Sequence, residues 1–441
     1  MLNNWLFRQI DNSALIVFRV FFGLLISIEA FGAIFSGWIR RTFIEPQFTF
    51  NFIGFEFLQP LPGDGMLWYY GVMGLFGIFV MFGFKYRLSM AAYTLMWASV
   101  YLMQKSSYNN HYYLLMLLCG IMVFLPAHRW LSVDAWRKPE IKRISMPRWV
   151  WVFIVLQLWI VYTYASVAKM YPDWLDGSLP ALLMRGKRDY WLVGEFLQES
   201  WIRYAIAYFG LVFDLLIIPF LLWRRTRLTA FILAIFFHLF NSFIFHIGIF
   251  PYLSLAFCLF FFPTESINRF FLRKKKPHYD HATSEIIVPK HRKLLIGTIA
   301  VWLLIQAGLP LRHWFFQDNV LWTEEGHRLS WRMMLRAKSG RSTFKVVEKG
   351  RKDTIFINKA KYLSRKQLRA INSKPDMMWQ FAQRLEKEYA EKGKEVEVYI
   401  DSKVSVNGRP LKRFIDPKVD MAKAEWHHLR HNDWILPSDL D

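Results

Sequence analysis

Long apolar runs recur along the first three quarters of the chain and are separated by short polar segments. A bilayer core about 30 Å thick requires roughly 20 mostly apolar residues per helical crossing, and many of the runs approach this length. The pattern predicts nine spans, at about residues 13–36, 66–84, 88–104, 111–127, 149–168, 204–223, 228–247, 249–263 and 294–311. It therefore predicts a polytopic α-helical membrane domain over residues 1–311.

The pattern changes after Leu311, where aromatic apolar runs give way to a charged segment. Alternation over residues 342–357 predicts a β-hairpin, and helical spacing over residues 374–393 predicts a helix that ends at a glycine. Strands follow, with Asn407-Gly408 as a turn signal. We predict a separate, exported soluble α+β domain over residues 312–441.

Composition and charge support a membrane protein and orient it. Hydrophobic residues make up 54% of the chain and aromatic residues 18%, while the formal net charge is +22. Lys and Arg concentrate in short cytoplasmic segments of membrane proteins. With a cytoplasmic N terminus, the inner segments include the basic stretches at residues 128–148, 224–227 and 265–292, the last of which is also the candidate flexible linker. Nine spans then place the C-terminal domain on the outer side.

The N-terminal apolar run and the cysteines indicate a compartment. The first run has no small-residue cleavage site and is long enough to span, so we expect a retained anchor. Cys119 and Cys258 both fall within predicted spans. An exported domain without disulfides favours a bacterial inner membrane, with the domain on the periplasmic side.

Three polar residues, Asn109, Asn110 and His111, open the predicted span at 111–127 on its outer side. Asn is a common helix cap, and an interfacial His is ordinary. One capping residue would suffice, however, so the trio also predicts a functional site.

A second polar group interrupts the span at 228–247. His238, Asn241, Ser242 and His246 are spaced at i, i+3, i+4 and i+8, which predicts one face of a helix. Such residues often join membrane helices by hydrogen bonds. Two histidines on one stripe favour a polar cavity instead.

Lys169 directly follows the apolar run at 149–168. A lysine at a span end usually snorkels to the headgroups, but this one lies on the outer side, against the charge rule. Because burial disfavours the charged form, we expect a Lys169 pKa below about 10.4 and a neutral amine that serves as a general base. Arg185, in the next outer loop, is either solvated or attracts an anionic group.

Ordered landmarks resemble the vitamin K-dependent gamma-carboxylases and their bacterial relatives with the horizontally transferred transmembrane domain. They are FRVFFGLLISIEA, QKSSYNNHYYL, WLSVDAW, VYTYASVAKMYPDWLDG, HLFNSFIFHIGIFPY and LWTEEGHRLSWRMMLR. The resemblance extends from about residue 15 to residue 340.

The resemblance implies a coupled reaction. In that family a lysine deprotonates a reduced quinol, dioxygen adds, and a strongly basic alkoxide forms as the quinol becomes an epoxide. The alkoxide removes a proton from the γ-carbon of a peptide glutamate, and carbon dioxide adds to the carbanion. Lys169 matches the family's base, Asn110 and His111 its Asn-His pair, Asn241 a quinone-contacting Asn, and Arg185 a basic residue on the glutamate and carbon dioxide side.

We therefore expect a vitamin K-dependent gamma-glutamyl carboxylase whose quinol-binding residues also include Asn109 and His238. Reduced vitamin K (menaquinol or phylloquinol), O2 and CO2 are the expected co-substrates, and no metal is predicted. The expected partners are a Glu-containing exported peptide or protein and a lipid quinone, with no nucleic acid. Two alternatives stay open: a quinol epoxidase or oxygenase without carboxylation, and a polytopic transporter whose polar stripe lines a solute path.

Overall fold

The computed structural model describes residues 2–279, 285–350 and 353–440, and the first two thirds of the chain are helical. The α-helices of this part are α1 (Leu2–Phe7), α2 (Ser13–Phe35), α3 (Gly65–Phe82), α4 (Tyr86–Met103), α5 (Asn110–Phe124), α6 (Val133–Arg137), α7 (Arg148–Val167), α8 (Pro172–Leu175), α9 (Ser178–Arg185), α10 (Ser200–Leu222), α11 (Arg227–Phe245), α12 (Phe250–Phe257), α13 (Thr264–Phe271) and α14 (Arg292–Gly308). Two short strands, β1 (Gln9–Asp11) and β2 (Ser145–Pro147), pair antiparallel.

Six helices among the described residues are long and apolar enough to cross a membrane. They are α2, α3, α7, α10, α11, and α14 with its extension to Phe315. The predicted count of nine spans is not confirmed, although a helix occupies each predicted position. α5 has 15 residues, which gives about 22 Å at the helical rise, short of a bilayer core of about 30 Å. α12 is also short, and several polar residues interrupt α4.

The helices α2 and α3 pack at close range through glycines. A Cβ atom at Gly23 would collide with the backbone of Met81, and one at Gly77 would collide with Ser27. Small residues at a helix contact allow close backbone approach, which is the main source of packing energy between membrane helices. The close packing of α2 against α3 thus depends on Gly23 and Gly77, which have no Cβ atom.

The segment predicted as a flexible linker, 265–292, is partly ordered against the N terminus. It begins within α13, and Ser13 donates a hydrogen bond of 2.6 Å to Asn268 of that helix. Lys275 forms a 2.8 Å ion pair with Asp11 and is buried. The linker prediction is therefore wrong for this first part, because buried polar contacts hold it; residues 280–284 lie outside the described residues.

The last third of the chain combines a sheet with helices. After a 3-10 segment at Leu309–Phe315, the elements are α15 (Val320–Thr323), β3 (Lys338–Glu348), β4 (Thr354–Phe356), α16 (Arg365–Ile371), α17 (Pro375–Ala390), β5 (Val396–Val406) and β6 (Lys412–Arg413). The strands form an antiparallel sheet in the order β4-β3-β5-β6. Burial alternates along all of β5, because successive side chains of a strand point to opposite faces. The buried face packs against α17, where Phe344 meets Phe381 edge-on.

The sequence patterns of this part agree with its elements. β3 and β4 form the predicted hairpin, with Lys345 opposite Phe356; residues 351–352 of its turn lie outside the described residues. Asn407 and Gly408 both have positive φ angles, 52° and 82°. Asn and Gly tolerate this left-handed conformation best, which explains why the pair forms the turn after β5.

Two groups of ion pairs, the first of them buried, join the sheet-containing part to the helical part. Asp376, in the first turn of α17, contacts Lys105 at 2.6 Å and accepts two hydrogen bonds from Arg328, at 2.6 and 3.2 Å. Arg409 donates two hydrogen bonds to Asp173 of α8. Charges that are buried together stabilise an interface only while every partner is present.

Asp376→Asn is predicted to lower the free energy of unfolding by about 3–5 kcal/mol, because Lys105 and Arg328 would then be buried without a carboxylate. The measurement is thermal unfolding in detergent. Asp439→Asn is the matched control, since Asp439 forms an exposed ion pair with Lys412; an equal loss of Tm in both variants would contradict the interface role.

The pH dependence of that stabilisation follows from the Asp376 carboxyl. Burial acts to raise its pKa, but Arg328 and Lys105 outweigh burial and hold the pKa well below its usual range. A carboxyl with a lowered folded-state pKa stabilises the fold above its unfolded pKa of about 3.9 and loses this contribution as pH falls through the folded value. The Tm difference between wild type and Asp376→Asn should therefore be largest near neutral pH and shrink below about pH 4.

Candidate active site

A cavity of about 350 Å³ lies among helices α5, α7, α10, α11 and α12. Its wall is mainly apolar and aromatic. The lining side chains that carry an ionisable group, an amide or a hydroxyl are His111, Tyr162, Lys169, Asp214, His238, Asn241 and Ser254. An apolar pocket of this size with a few convergent polar groups is typical of a small-molecule site.

Met333 and Met334 close the cavity from the segment that follows α15. The backbone of this segment is strained, since Leu329, Trp331 and Met334 all have φ angles between 55° and 59°. Such conformations cost energy in bulky residues and persist only where neighbouring contacts impose them. Tyr171 supplies one such contact by donating a hydrogen bond to the Leu335 carbonyl.

The cavity also reaches the outer surface of the helical bundle. Trp201 of α10 and Phe236 of α11 line it, yet their side chains are 56% and 61% exposed. Since both helices are long and apolar enough to span a membrane, this side of the cavity faces the region that lipid would occupy.

A larger groove, of about 980 Å³, runs along α2, α12 and α13. Glu29 lies in its wall and accepts a 2.6 Å hydrogen bond from Tyr112. None of the residues predicted from the sequence as site residues lines this groove. The predicted site residues that line a cavity therefore line the smaller one, despite the groove's greater volume.

Lys169 lies in the turn between α7 and α8 and is buried. The turn forms because Tyr171 precedes Pro172 and is extended, as the residue before a proline tends to be, while the proline itself opens the next helix. The Lys169 amine contacts the Asp214 carboxylate directly and lies 5.6 Å from the centre of the Trp174 ring. The expected buried amine is present, but it has a buried carboxylate partner that was not predicted.

Three side chains attach this turn to one face of α10. Ser166 donates a hydrogen bond of 2.9 Å to the Leu211 carbonyl, and the Trp174 indole donates one of 3.0 Å to the Ala207 carbonyl. With Asp214, the contacted positions on α10 follow the spacing i, i+4, i+7, which places them on the same face. The Lys169 amine is thus held by its contact with Asp214, and the chain on either side of Lys169 is held by the Ser166 and Trp174 hydrogen bonds.

The two histidines approach the cavity from different helices. His238 of α11 lies 3.1 Å from the Tyr162 hydroxyl, measured from Nε2. His111, in the first turn of α5, packs its ring 4.1 Å from the Phe250 ring. Asn241 lines the same wall one turn after His238. The structure therefore brings together Lys169, His111, His238 and Asn241, four of the seven residues predicted from the sequence.

Asn109 and Asn110 have other partners. Asn109 caps α5, since its side chain accepts a 2.7 Å hydrogen bond from the Tyr112 amide. Asn110 accepts a 2.7 Å hydrogen bond from the Tyr108 hydroxyl and donates one of 3.1 Å to the Arg332 carbonyl. Neither lines the cavity. Asn110 instead secures the segment that closes it.

Two further residues lie away from the cavity wall. Arg185 ends α9, is exposed and does not line the cavity. His246 was expected on the α11 stripe, but that helix ends at Phe245 and His246 adopts a left-handed conformation beyond it. The single-face prediction is therefore wrong for His246, because the helix stops before that position.

Family comparisons agree with this arrangement of a membrane part and a terminal part. Residues 7–265, more than half of the chain, match the family model of the HTTM domain. Residues 291–441 match the model of the vitamin K-dependent gamma-carboxylase lumenal domain. This chain belongs to the vitamin K-dependent gamma-carboxylase family. The resemblance read from the sequence landmarks is confirmed, and no solved structure matches the chain significantly.

Membership in the gamma-carboxylase family indicates the classes of co-substrate and substrate. It implies dependence on vitamin K, dioxygen and carbon dioxide, and activity on glutamate-containing substrates. The word lumenal in the second model's description indicates the non-cytoplasmic side for the C-terminal domain that follows α14. The apolar helices indicate an integral membrane protein.

Asp214, Tyr162 and Met333 line the cavity of this carboxylase-family chain but were not predicted from the sequence. Asp214 is an ionisable residue within an apolar run, which is a signal for function in a membrane span. The residues predicted from the sequence lie at the outer ends of spans, whereas Asp214 lies in the interior of α10. Tyr162 and Met333 gave no comparable signal, since a Tyr in an aromatic run and a Met in a charged segment are both ordinary.

Asn109→Ala is predicted to lower stability by about 1 kcal/mol through loss of the helix cap, while leaving the quinol KM unchanged. Thermal unfolding and quinol-dependent kinetics measure the two effects. Asn109→Ser, which keeps a capping oxygen, is the control and should retain wild-type stability. A large rise in quinol KM for Asn109→Ala would instead support a direct quinol contact.

Proposed function

We propose that this protein is an integral-membrane vitamin K-dependent gamma-glutamyl carboxylase that couples quinol epoxidation to glutamate carboxylation. The observation that carries the proposal is the buried Lys169 amine in the wall of an apolar cavity. The family assignment supports the reaction class, and the cavity supports a quinol as the substrate bound there.

The cavity suits a weakly acidic, largely apolar molecule. A quinol hydroxyl loses its proton only to a base held close to it, and Lys169 supplies that base. His111, His238 and Asn241 carry polar groups on the opposite helices and would hold the quinol oxygens as negative charge develops. The remaining wall accommodates the apolar ring and chain.

The coupled reaction balances without a further oxidant. Quinol and dioxygen give the epoxide and water, and one of the two atoms of dioxygen enters each product. The glutamate loses a proton from its γ-carbon, and carbon dioxide forms the new carbon–carbon bond. The strong base that this requires survives only where water is excluded, and the aromatic wall provides such exclusion.

Entry from the lipid phase is proposed between α10 and α11. Trp201 and Phe236 line the cavity and are also exposed on that side. A prenylated quinol dissolved in the bilayer would reach the cavity without crossing water. The substrate is then a membrane quinol such as menaquinol or phylloquinol.

The proposed topology has a cytoplasmic N terminus and an outer site in a bacterial inner membrane. Loop charge supports this orientation, and the lumenal description of the terminal part agrees with it. A Glu-containing exported peptide would then approach from the periplasm. Arg185 is exposed at the end of α9. We propose that its positive charge attracts the carboxylates of that peptide on the outer side of the membrane.

The coupled activity is tested by incubating purified protein in detergent with menaquinol, dioxygen, labelled bicarbonate and a Glu-containing peptide. The expected result is epoxide together with acid-stable label in the peptide. Epoxide alone would support the alternative of a quinol epoxidase without carboxylation. Neither product from protein that stays folded would contradict both functions.

Lys169→Ala is predicted to reduce epoxidation at least 100-fold, because a positioned general base contributes about 10²- to 10⁴-fold. Small primary amines should restore part of the rate by entering the space left by the side chain. Lys187→Ala, in the loop outside the cavity, is the control and should keep wild-type turnover. Undiminished epoxidation by Lys169→Ala would refute the role of Lys169 as the base.

A further inference from the structure

Asp214 is a buried carboxylate that the coupled reaction, as described so far, does not use. Its side chain is 7% exposed, and that of Lys169 is 9% exposed. A buried carboxylate costs several kcal/mol unless it is paired, and its partner here is the Lys169 amine. Among the described residues, Asp214 is the only carboxylate that lines the cavity.

This pairing raises a chemical question about the base. An ammonium that is paired with a carboxylate has no free electron pair and cannot accept a proton by itself. A second group must take a proton from the amine as the quinol gives one up. The carboxylate in contact with the Lys169 amine is the group placed to do so.

We propose that Asp214 is the positioning residue and proton partner of Lys169, so that the pair together accepts the first proton of the quinol. This rests on the proposed quinol oxygenation. The Lys169 ammonium passes one proton to a carboxylate oxygen of Asp214, which leaves the amine with a free electron pair. The quinol O–H bond then breaks, its electron pair stays on the quinol oxygen, and its proton goes to that amine.

Charge balance favours this arrangement in an apolar cavity. Before the transfer, ammonium and carboxylate together carry no net charge. Afterwards the pair carries one positive charge and the quinol oxygen one negative charge, so the cavity as a whole remains neutral. Separated charges are stabilised at short range where the dielectric constant is low, which holds the deprotonated quinol against the pair.

The neighbouring helices contribute the other titratable groups that face the pair. His111 comes from α5, Tyr162 from α7 and His238 from α11, and all three line the same cavity. The Tyr162 hydroxyl and His238 are already hydrogen-bonded to each other. Within the part of the chain that the structure describes, Asp214 is the only carboxylate in direct contact with the Lys169 amine.

The α10 contacts explain how the pair keeps its geometry. Ser166 and Trp174 flank Lys169 in the chain and bond to the Leu211 and Ala207 carbonyls of the helix that carries Asp214. The carboxylate and the amine are therefore fixed by the same helix contact. A change at Asp214 that keeps this packing should affect the proton transfer and leave the cavity's shape intact.

Asp214→Asn tests the role by steady-state epoxidation kinetics across pH. We expect kcat to fall about 100-fold and quinol KM to change less than threefold. Without the carboxylate, only protein whose Lys169 amine is already neutral can react. The acidic limb of the pH–rate profile, on which the rate falls as pH falls, should therefore move to higher pH. Asp214→Glu should recover at least a tenth of wild-type kcat, and Asp189→Asn, exposed in the outer loop, should behave as wild type.

An unchanged kcat and pH profile in Asp214→Asn would overturn the proton-partner role while leaving the quinol reaction in place. Wild-type protein that makes no epoxide would overturn the proposed function itself. The two failures are therefore distinguishable in the same assay.

A double-mutant cycle tests the pair without any reaction. Lys169→Met and Asp214→Leu each leave one buried charge without its partner, so each should lower Tm, and the double variant should lower it less than the two single losses summed. Additive losses of Tm would show that the two side chains do not interact, and would overturn the pairing on which the proposal rests.

Discussion

The site depends on the burial of an amine against a carboxylate in an apolar wall. Removing either charge from water costs several kcal/mol, and the mutual attraction offsets this only when both groups are held at contact. Lys169, in the turn after α7, and Asp214, on α10, satisfy that condition. The packing of α7 on α10 is thus constrained by a polar contact as much as by shape.

The closure of the cavity depends on a second set of polar contacts, which extend from the helical part to the segment before β3. Tyr108 accepts a 2.7 Å hydrogen bond from the Leu329 amide, and Asn110 holds the Arg332 carbonyl. Tyr171, two residues after Lys169, holds the Leu335 carbonyl. These hydrogen bonds from the helical part therefore hold the strained backbone that carries Met333 and Met334.

Much of the fold and part of the site could be predicted from the sequence. Apolar runs located the helices, and alternation located the strands of the terminal part, because both periodicities follow from local geometry. Polar interruptions identified Lys169, His111, His238 and Asn241, which the structure brings to one cavity. The same rule applied to mid-span positions would have identified Asp214.

Other features of the site depend on contacts that local patterns do not encode. Asn110 was expected at the quinol, but its amide donates to a carbonyl 222 positions away in the chain. The position of Arg185 was not predictable in detail: the fold places it, exposed, at the end of α9 and away from the cavity wall. The count of nine spans is not confirmed, because α5 and α12, which line the site, are shorter than a bilayer crossing requires.

Photo-crosslinking with a prenylated quinone that carries a diazirine on its ring tests the central claim most directly. If the cavity beside Lys169 binds the quinol, mass spectrometry will find labelled peptides from α10, α11 and α12, including positions near Gly210 and Asn241, and excess menaquinone will suppress the labelling. Labelling confined to the groove beside Glu29, with the Lys169 cavity unlabelled, would contradict this account.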